Sequence, residues 1–204
     1  MTLKLYNSAF APSPRRVRMY AAEKGIALEL IEVNIAEGAT RSADFLSVNS
    51  LGETPVLERE DGSRVTESLA ICRWLEELNP EPNLFGDDAE ERLAINRYID
   101  RVMFRLYVPT TEVFRHTHEF WIGRIEQVAA FGELQRKTVR AEYVALDTAL
   151  ADREFLARDR FSMADIVAFT SIDFGKVAGL RVGDDLPALK RWYEAIRARP
   201  SARA

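Results

Sequence analysis

Near residue 80 the spacing of apolar residues changes from a series of short alternations to a long helical repeat. A chain that does this folds as two architectures joined in sequence. Before the change, TLKLY (2–6) and LELIEV (28–33) alternate as strands do. Between them, residues 14–24 place Val17, Tyr20 and Ala21 on one helical face, and Gly25 supplies a helix stop. TPVLE (54–58) and RVTE (64–67) flank EDGS, whose Asp-Gly pair tolerates positive φ and predicts a hairpin. SLAICRWLEEL (68–78) returns to helical spacing and ends at Asn79-Pro80. The order β-α-β-(α)-β-β-α suits a mixed four-stranded sheet.

After the change almost everything is helical. EPNLFGDD (81–88) is rich in turn residues and reads as a linker. Ile95, Tyr98, Ile99, Val102, Met103 and Leu106 predict an amphipathic helix over 89–107. A second long pattern covers roughly 124–150, and PALKRWYEAIRA (187–198) forms a last helix. In FSMADIVAF (161–169), Ser162 and Asp165 are spaced as a capping box, with Phe161 and Ile166 as its hydrophobic staple. The expected domains are an α/β domain over 1–80, a linker over 81–88 and an all-α helical bundle over 89–204.

Composition narrows the function. A net charge of −4 and a pI near 5.4 argue against a general nucleic-acid binder, which needs a basic surface. No apolar run is long enough to span a membrane, and MTLKLYNSAF lacks the shape of a signal peptide. The single cysteine, Cys72, excludes an internal disulfide framework and suits a reducing compartment. These features predict a cytoplasmic protein. Cys72 lies mid-helix with no His or Lys beside it in sequence, so it reads as a core residue. No cluster of ligand residues has metal spacing.

The chemistry concentrates at two helix starts. Ser13 is suited to an N-cap and Pro14 to the first helical position. Such a start carries partial positive charge and N–H donors, which favour an anion. A thiol held there would ionise below its usual pKa of ~8.5. Arg15, Arg16 and Arg18 oppose the helix dipole, so capping alone does not call for them. An anionic ligand, an acidic partner or a plain solvated face would each account for them. In NSLGETPVL (49–57), a cis Thr54–Pro55 bond would turn the Thr54 backbone outward to pair with a peptide-like ligand. Glu67-Ser68 then opens the next helix, where N–H groups and a hydroxyl can hold a carboxylate.

Five stretches, in this order and spacing, resemble the glutathione transferases. They are LYNSAFAPSPRRVRMYAAEKGI, FLSVNSLGETPVL, TESLAICRWLEEL, FSMADIVAF and ALKRWYEAIRARP, and together they run along nearly the whole chain. The resemblance implies a thioredoxin-like N-terminal domain, an all-helical C-terminal domain and a homodimer. It implies glutathione as a co-substrate held by the first domain, with no other cofactor. It also implies a hydrophobic electrophile bound between the domains, in the manner of detoxification enzymes. Matching the motifs places Pro55 at the family's cis-proline, with Thr54 making the main-chain pair to glutathione. Glu67 and Ser68 match the acid-serine pair that holds the γ-glutamyl end. Arg41 occupies a region that often supplies a cation for the glycine carboxylate.

The thiolate partner departs from the common family pattern. Aligning on Arg16-Val17-Arg18 puts Ala11 where one serine-type group has its catalytic serine, and Ser13 lies two residues later. Tyr6 lies on the strand and reads as a core aromatic. Two routes to a thiolate stay open. In one, the Ser13 hydroxyl donates to the sulfur. In the other, a water does so, held by Thr111 and His116 of VPTTEVFRHTH (108–118), since histidine titrates near neutrality. His118 reads as exposed. Phe10, Phe114, Phe120 and Trp121 are candidates for an apolar co-substrate pocket or for core. Beside transfer to an electrophile stand two alternatives on the same fold. One is a non-catalytic glutathione-binding or protein-interaction module; the other is a glutathione-dependent isomerase, lyase or peroxidase.

Overall fold

The structure, a computed structural model, describes residues 3–204. Thr2, counted above in the first strand, lies outside the described residues. The chain forms two compact units, residues 3–83 with 200–204 and residues 84–199.

In the first unit, β1 (Leu3–Asn7), α1 (Pro12–Glu23) and β2 (Leu28–Glu32) make a parallel strand–helix–strand unit. Then come α2 (Ala43–Val48), β3 (Val56–Glu58), β4 (Arg64–Thr66) and α3 (Ser68–Leu78). The sheet order is β2-β1-β3-β4, with β3 antiparallel to both of its neighbours. Burial alternates along β1, and the central strand β3 buries both Val56 and Leu57, one toward each face. On one face Val56 packs with Val33, Phe45 of α2 and Tyr6. On the other, Leu3, Leu5 and Leu57 are buried. Helices α1 and α3 pack together, adding Val17, Tyr20, Ile71 and Leu75 to the core. At the far end of α1, Lys24 Nζ reaches Glu76 Oε2 of α3 at 2.7 Å, and the Tyr20 hydroxyl donates to the same carboxylate. This is the thioredoxin-like arrangement that the resemblance implies.

The second unit is all helical: α4 (Ala89–Val102), α5 (Val108–Thr117), α6 (Ala129–Ala149), α7 (Met163–Gly175) and α8 (Pro187–Arg197). A π-helical turn, Met103–Tyr107, joins α4 to α5, so the helix expected over 89–107 continues to residue 117. Pro109 accounts for the turn. It lacks an N–H and its ring would crowd the preceding carbonyls, and the wider register relieves both. Helix α7 is apolar on nearly every side and sits at the centre of the unit. Its capping box forms as the spacing predicts. Within the segment 81–88, Leu84 and Phe85 are buried and the Leu84 carbonyl accepts from Met163 N at 2.9 Å. Asp88 caps α4 by accepting from Glu91 N at 2.8 Å. No helix among the described residues is long and apolar enough to cross a membrane.

Candidate functional site

Tyr6, Val56 and Thr66 lie in one row across the sheet, because Tyr6 pairs with Val56 and Val56 with Thr66. The residues one step beyond that row are Asn7, Pro55 and Glu67. They therefore share one end of the sheet, the end at which β1 runs out toward α1. Strand register thus brings together segments about fifty to sixty residues apart in sequence.

Each segment has a local oddity. The Thr54–Pro55 peptide is cis. Thr54 Oγ1 is buried and has no hydrogen-bond partner among the described residues. An unmade hydrogen bond on a buried hydroxyl costs about 1–3 kcal/mol, which a ligand acceptor or donor would recover. Glu67 has φ 64°, the one non-glycine residue with positive φ among those described. Such strain on an exposed residue concentrates at functional positions. Ser68, the first residue of α3, is buried, and its Oγ accepts from Arg16 Nη1 at 2.7 Å.

Helix α1 starts two residues earlier than the Ser13 cap requires. Its N-cap is Ala11, which makes no side-chain cap, and Pro12 takes the first helical position. Ser13 is half-buried within the first turn and so is not the cap that the Ser13-Pro14 pair predicts. Two prolines explain the difference. Pro12 and Pro14 have no N–H, so the turn has fewer orphan donors for a cap to satisfy. Among Pro12, Ser13 and Pro14, only Ser13 carries an N–H.

The arginines after Ser13 hold protein groups. Arg15 Nη2 donates to Ala202 O at 2.9 Å. Arg16 donates to Ser68, as above. Arg18 donates to Asn7 Oδ1 and, at 3.1 Å, to Ala9 O, fixing the turn between β1 and α1. Burial and the like charge of Arg15 push the Arg18 guanidinium below the usual arginine value, and Glu32 opposes them. The run Arg15-Arg16-Val17-Arg18 signalled that something offsets these charges near the helix dipole. That Arg16 grips Ser68 was missed, because no local spacing connects residues 16 and 68.

Arg41 lies exposed in a 3₁₀ turn, Ala39–Arg41, and its Nη1 donates to Leu51 O at 3.2 Å. It leans on the loop that leads into Thr54. Gly52, at φ 65°, makes room for it: a Cβ there would stand 2.8 Å from Arg41 Nη1 and 2.7 Å from Thr40 O. Tyr6 packs edge-on against Phe45 at 6.1 Å, and its hydroxyl donates to Glu58 Oε2 at 3.2 Å, as befits a core aromatic. Cys72 is fully buried, and burial pushes its thiol well above the usual range.

Thr111 and His116 sit on α5 of the second unit and do not converge. Five residues along an α-helix separate side chains by about 140°. Each group also has other work. The Thr111 hydroxyl donates to Val108 O at 2.7 Å. His116 Nδ1 accepts from Val128 N at 3.0 Å, and Nε2 faces Glu112 Oε2 at 3.2 Å. His118 is half-buried, where the sequence suggests exposure; its Nδ1 accepts from Phe120 N at 3.1 Å. Phe114 forms a cluster with Phe120, Trp121 and Phe174, all half-buried, whereas Phe10 is 96% exposed.

Known proteins resemble this chain along its length. The description "Glutathione S-transferase, N-terminal domain" matches residues 10–78, and "Glutathione S-transferase, C-terminal domain" matches residues 110–200. Glutathione S-transferase 2 of Saccharomyces cerevisiae is 30% identical over 203 residues, covering 98% of this chain and 87% of that protein. The crystal structure of Gtt2 from Saccharomyces cerevisiae aligns with a TM-score of 0.91 at 29% identity, covering 100% of this chain and 99% of that one. A Gtt2-class glutathione S-transferase from Vibrio parahaemolyticus aligns at 0.86 with 32% identity, covering 98% and 96%. These alignments cover essentially the whole chain, and the chain belongs to the glutathione S-transferase family.

Proposed function

We propose that this protein binds glutathione at the sheet end, ionises its thiol and transfers the thiolate to a hydrophobic electrophile. The observation that carries this reading is the shared row of Tyr6, Val56 and Thr66, which gathers Thr54-Pro55 and Glu67-Ser68 beside the start of α1. Thr54 takes the cysteinyl backbone, Glu67 and Ser68 the γ-glutamyl end, and Arg41 the glycine carboxylate. The Ser13 hydroxyl donates to the sulfur. The bonds already made by Thr111 and His116 favour Ser13 over a water held by that pair. In the reaction the glutathione S–H loses its proton to solvent water, a new S–C bond forms on the electrophile, and the leaving group departs with its electron pair. Proximity and thiolate stabilisation supply the rate, with glutathione as co-substrate and no further cofactor.

The same reading makes the protein a cytoplasmic homodimer. Leu78 of α3, and Leu93 and Phe104 in the second unit, are 46%, 63% and 73% exposed, and pairing of two copies would bury such residues. Size-exclusion chromatography with light scattering tests that assignment.

Thiol activation is tested by titrating the ultraviolet thiolate absorbance of bound glutathione against pH. The wild type should show a thiol pKa at least a full unit below the free value, and Ser13→Ala should return it most of the way. His116→Ala should lower thermal stability and leave the thiol pKa in place. Saturable binding with an unshifted thiol would favour a binding module over an enzyme.

A further inference from the structure

Arg16 is 1% exposed, one of the largest fully buried side chains in the molecule, and it donates to Ser68 Oγ at 2.7 Å from the neighbouring helix. A hydroxyl has one proton and two lone pairs, while a guanidinium has donors and no acceptor. Once Arg16 occupies a lone pair of Ser68, the Ser68 proton cannot point back at Arg16. The hydroxyl becomes a donor directed away from α1. It stands at the start of α3, whose N-terminal end is itself positively polarised. Two positive ends, the guanidinium and the helix terminus, therefore lie behind one outward-facing O–H.

We propose that Arg16 is a positioning residue for anion recognition. It locks the Ser68 hydroxyl as a donor and lends its charge, through that hydroxyl, to a carboxylate bound at the start of α3. The inference rests on the glutathione reading above, in which that carboxylate is the α-carboxylate of the γ-glutamyl residue. Arg16 does not touch the ligand. Helix α1 is also joined to α3 at its other end, by Lys24 and Glu76.

The test compares two peptides by calorimetry: glutathione, and 4-aminobutyryl-cysteinyl-glycine, which lacks only the γ-glutamyl α-carboxylate. The wild type should prefer glutathione. Arg16→Met should cut that preference by about tenfold to a hundredfold, the range for losing a hydrogen bond to a charged group. Its affinity for the carboxylate-free peptide should stay within about twofold of wild type. Arg16→Lys, which keeps the charge without the planar fork, should fall between. In a Ser68→Ala background, adding Arg16→Met should change the preference far less than it does in the wild type. An unchanged preference in Arg16→Met, or in Arg16→Lys if the methionine variant does not fold, would overturn the proposal. So would an equal loss for both peptides, which is the mark of a merely structural role. Failure of the wild type to bind glutathione would instead overturn the glutathione reading itself, and is told apart by needing no variant.

Discussion

Glu67 shows how one residue trades stability for position. Its φ of 64° sets the chain turning from β4 into α3, at a cost of about 1–3 kcal/mol for a side chain other than glycine. Glu67→Gly should relieve that strain and raise the melting temperature, with a net gain of about 1 kcal/mol after the added freedom of the unfolded chain. The same variant should weaken glutathione binding, because the Glu67 side chain is lost. A calorimetric melt and a binding titration on one preparation check both signs. At this scale the sequence was informative where chemistry is local. Thr54-Pro55 and Glu67-Ser68 stood out by residue type alone. Ser13 misled, since its neighbour Pro12 claimed the first helical position. Arg16 was visible as a charge in the wrong place, but its partner was defined only by the packing of α1 on α3.

Among the elements, α7 was legible because its start is written within four residues. Asp165 accepts from Ser162 N at 3.0 Å, Leu156 N at 3.0 Å and Trp192 Nε1 at 2.9 Å, all inside the core of the second unit. Burial pushes its carboxyl up to about 6, against those donors, which pull it down. An unfolded aspartate titrates near ~3.9. Between the two values the folded chain holds the proton more tightly than the unfolded one. The contribution of Asp165 to stability therefore falls as pH rises from about 4 to about 6, and is constant above. Asp165→Asn has no such slope. The stability of the wild type relative to that variant should be greater at pH 4 than at pH 7, by roughly 2 kcal/mol for a shift of this size. Urea denaturation across that range measures it, and a gap that widens with pH would contradict the assignment. The π turn at Met103–Tyr107 was harder to foresee. Helical periodicity runs straight through it, and only Pro109 hints that the backbone must change register.

For the whole molecule, the division near residue 80 was readable from hydrophobic period, and the place of residues 200–204 was not. They close on the first unit: Arg15 donates to Ala202 O, and the Ser201 hydroxyl donates to Glu23. Helix α1 is thus held by Arg18 near its start, by Arg16 against α3 and by Arg15 against this segment. Deleting residues 200–204 should destabilise the first unit by about 2–3 kcal/mol, the scale of a lost charged hydrogen bond and some buried surface. Arg15→Ala should reproduce much of that loss. Thermal denaturation of both variants beside the wild type decides it.

This topology also fixes an order of events during synthesis. Residues 84–199 are an insertion within the first unit, so the ribosome makes every helix of the second unit before it supplies 200–204. The first unit is begun first and completed last. Until then, a nascent chain carries α1 without its final clasp. Any break in translation between residues 84 and 199 yields a product whose first unit is complete in sequence up to α3, yet lacks the segment that secures the helix bearing Ser13.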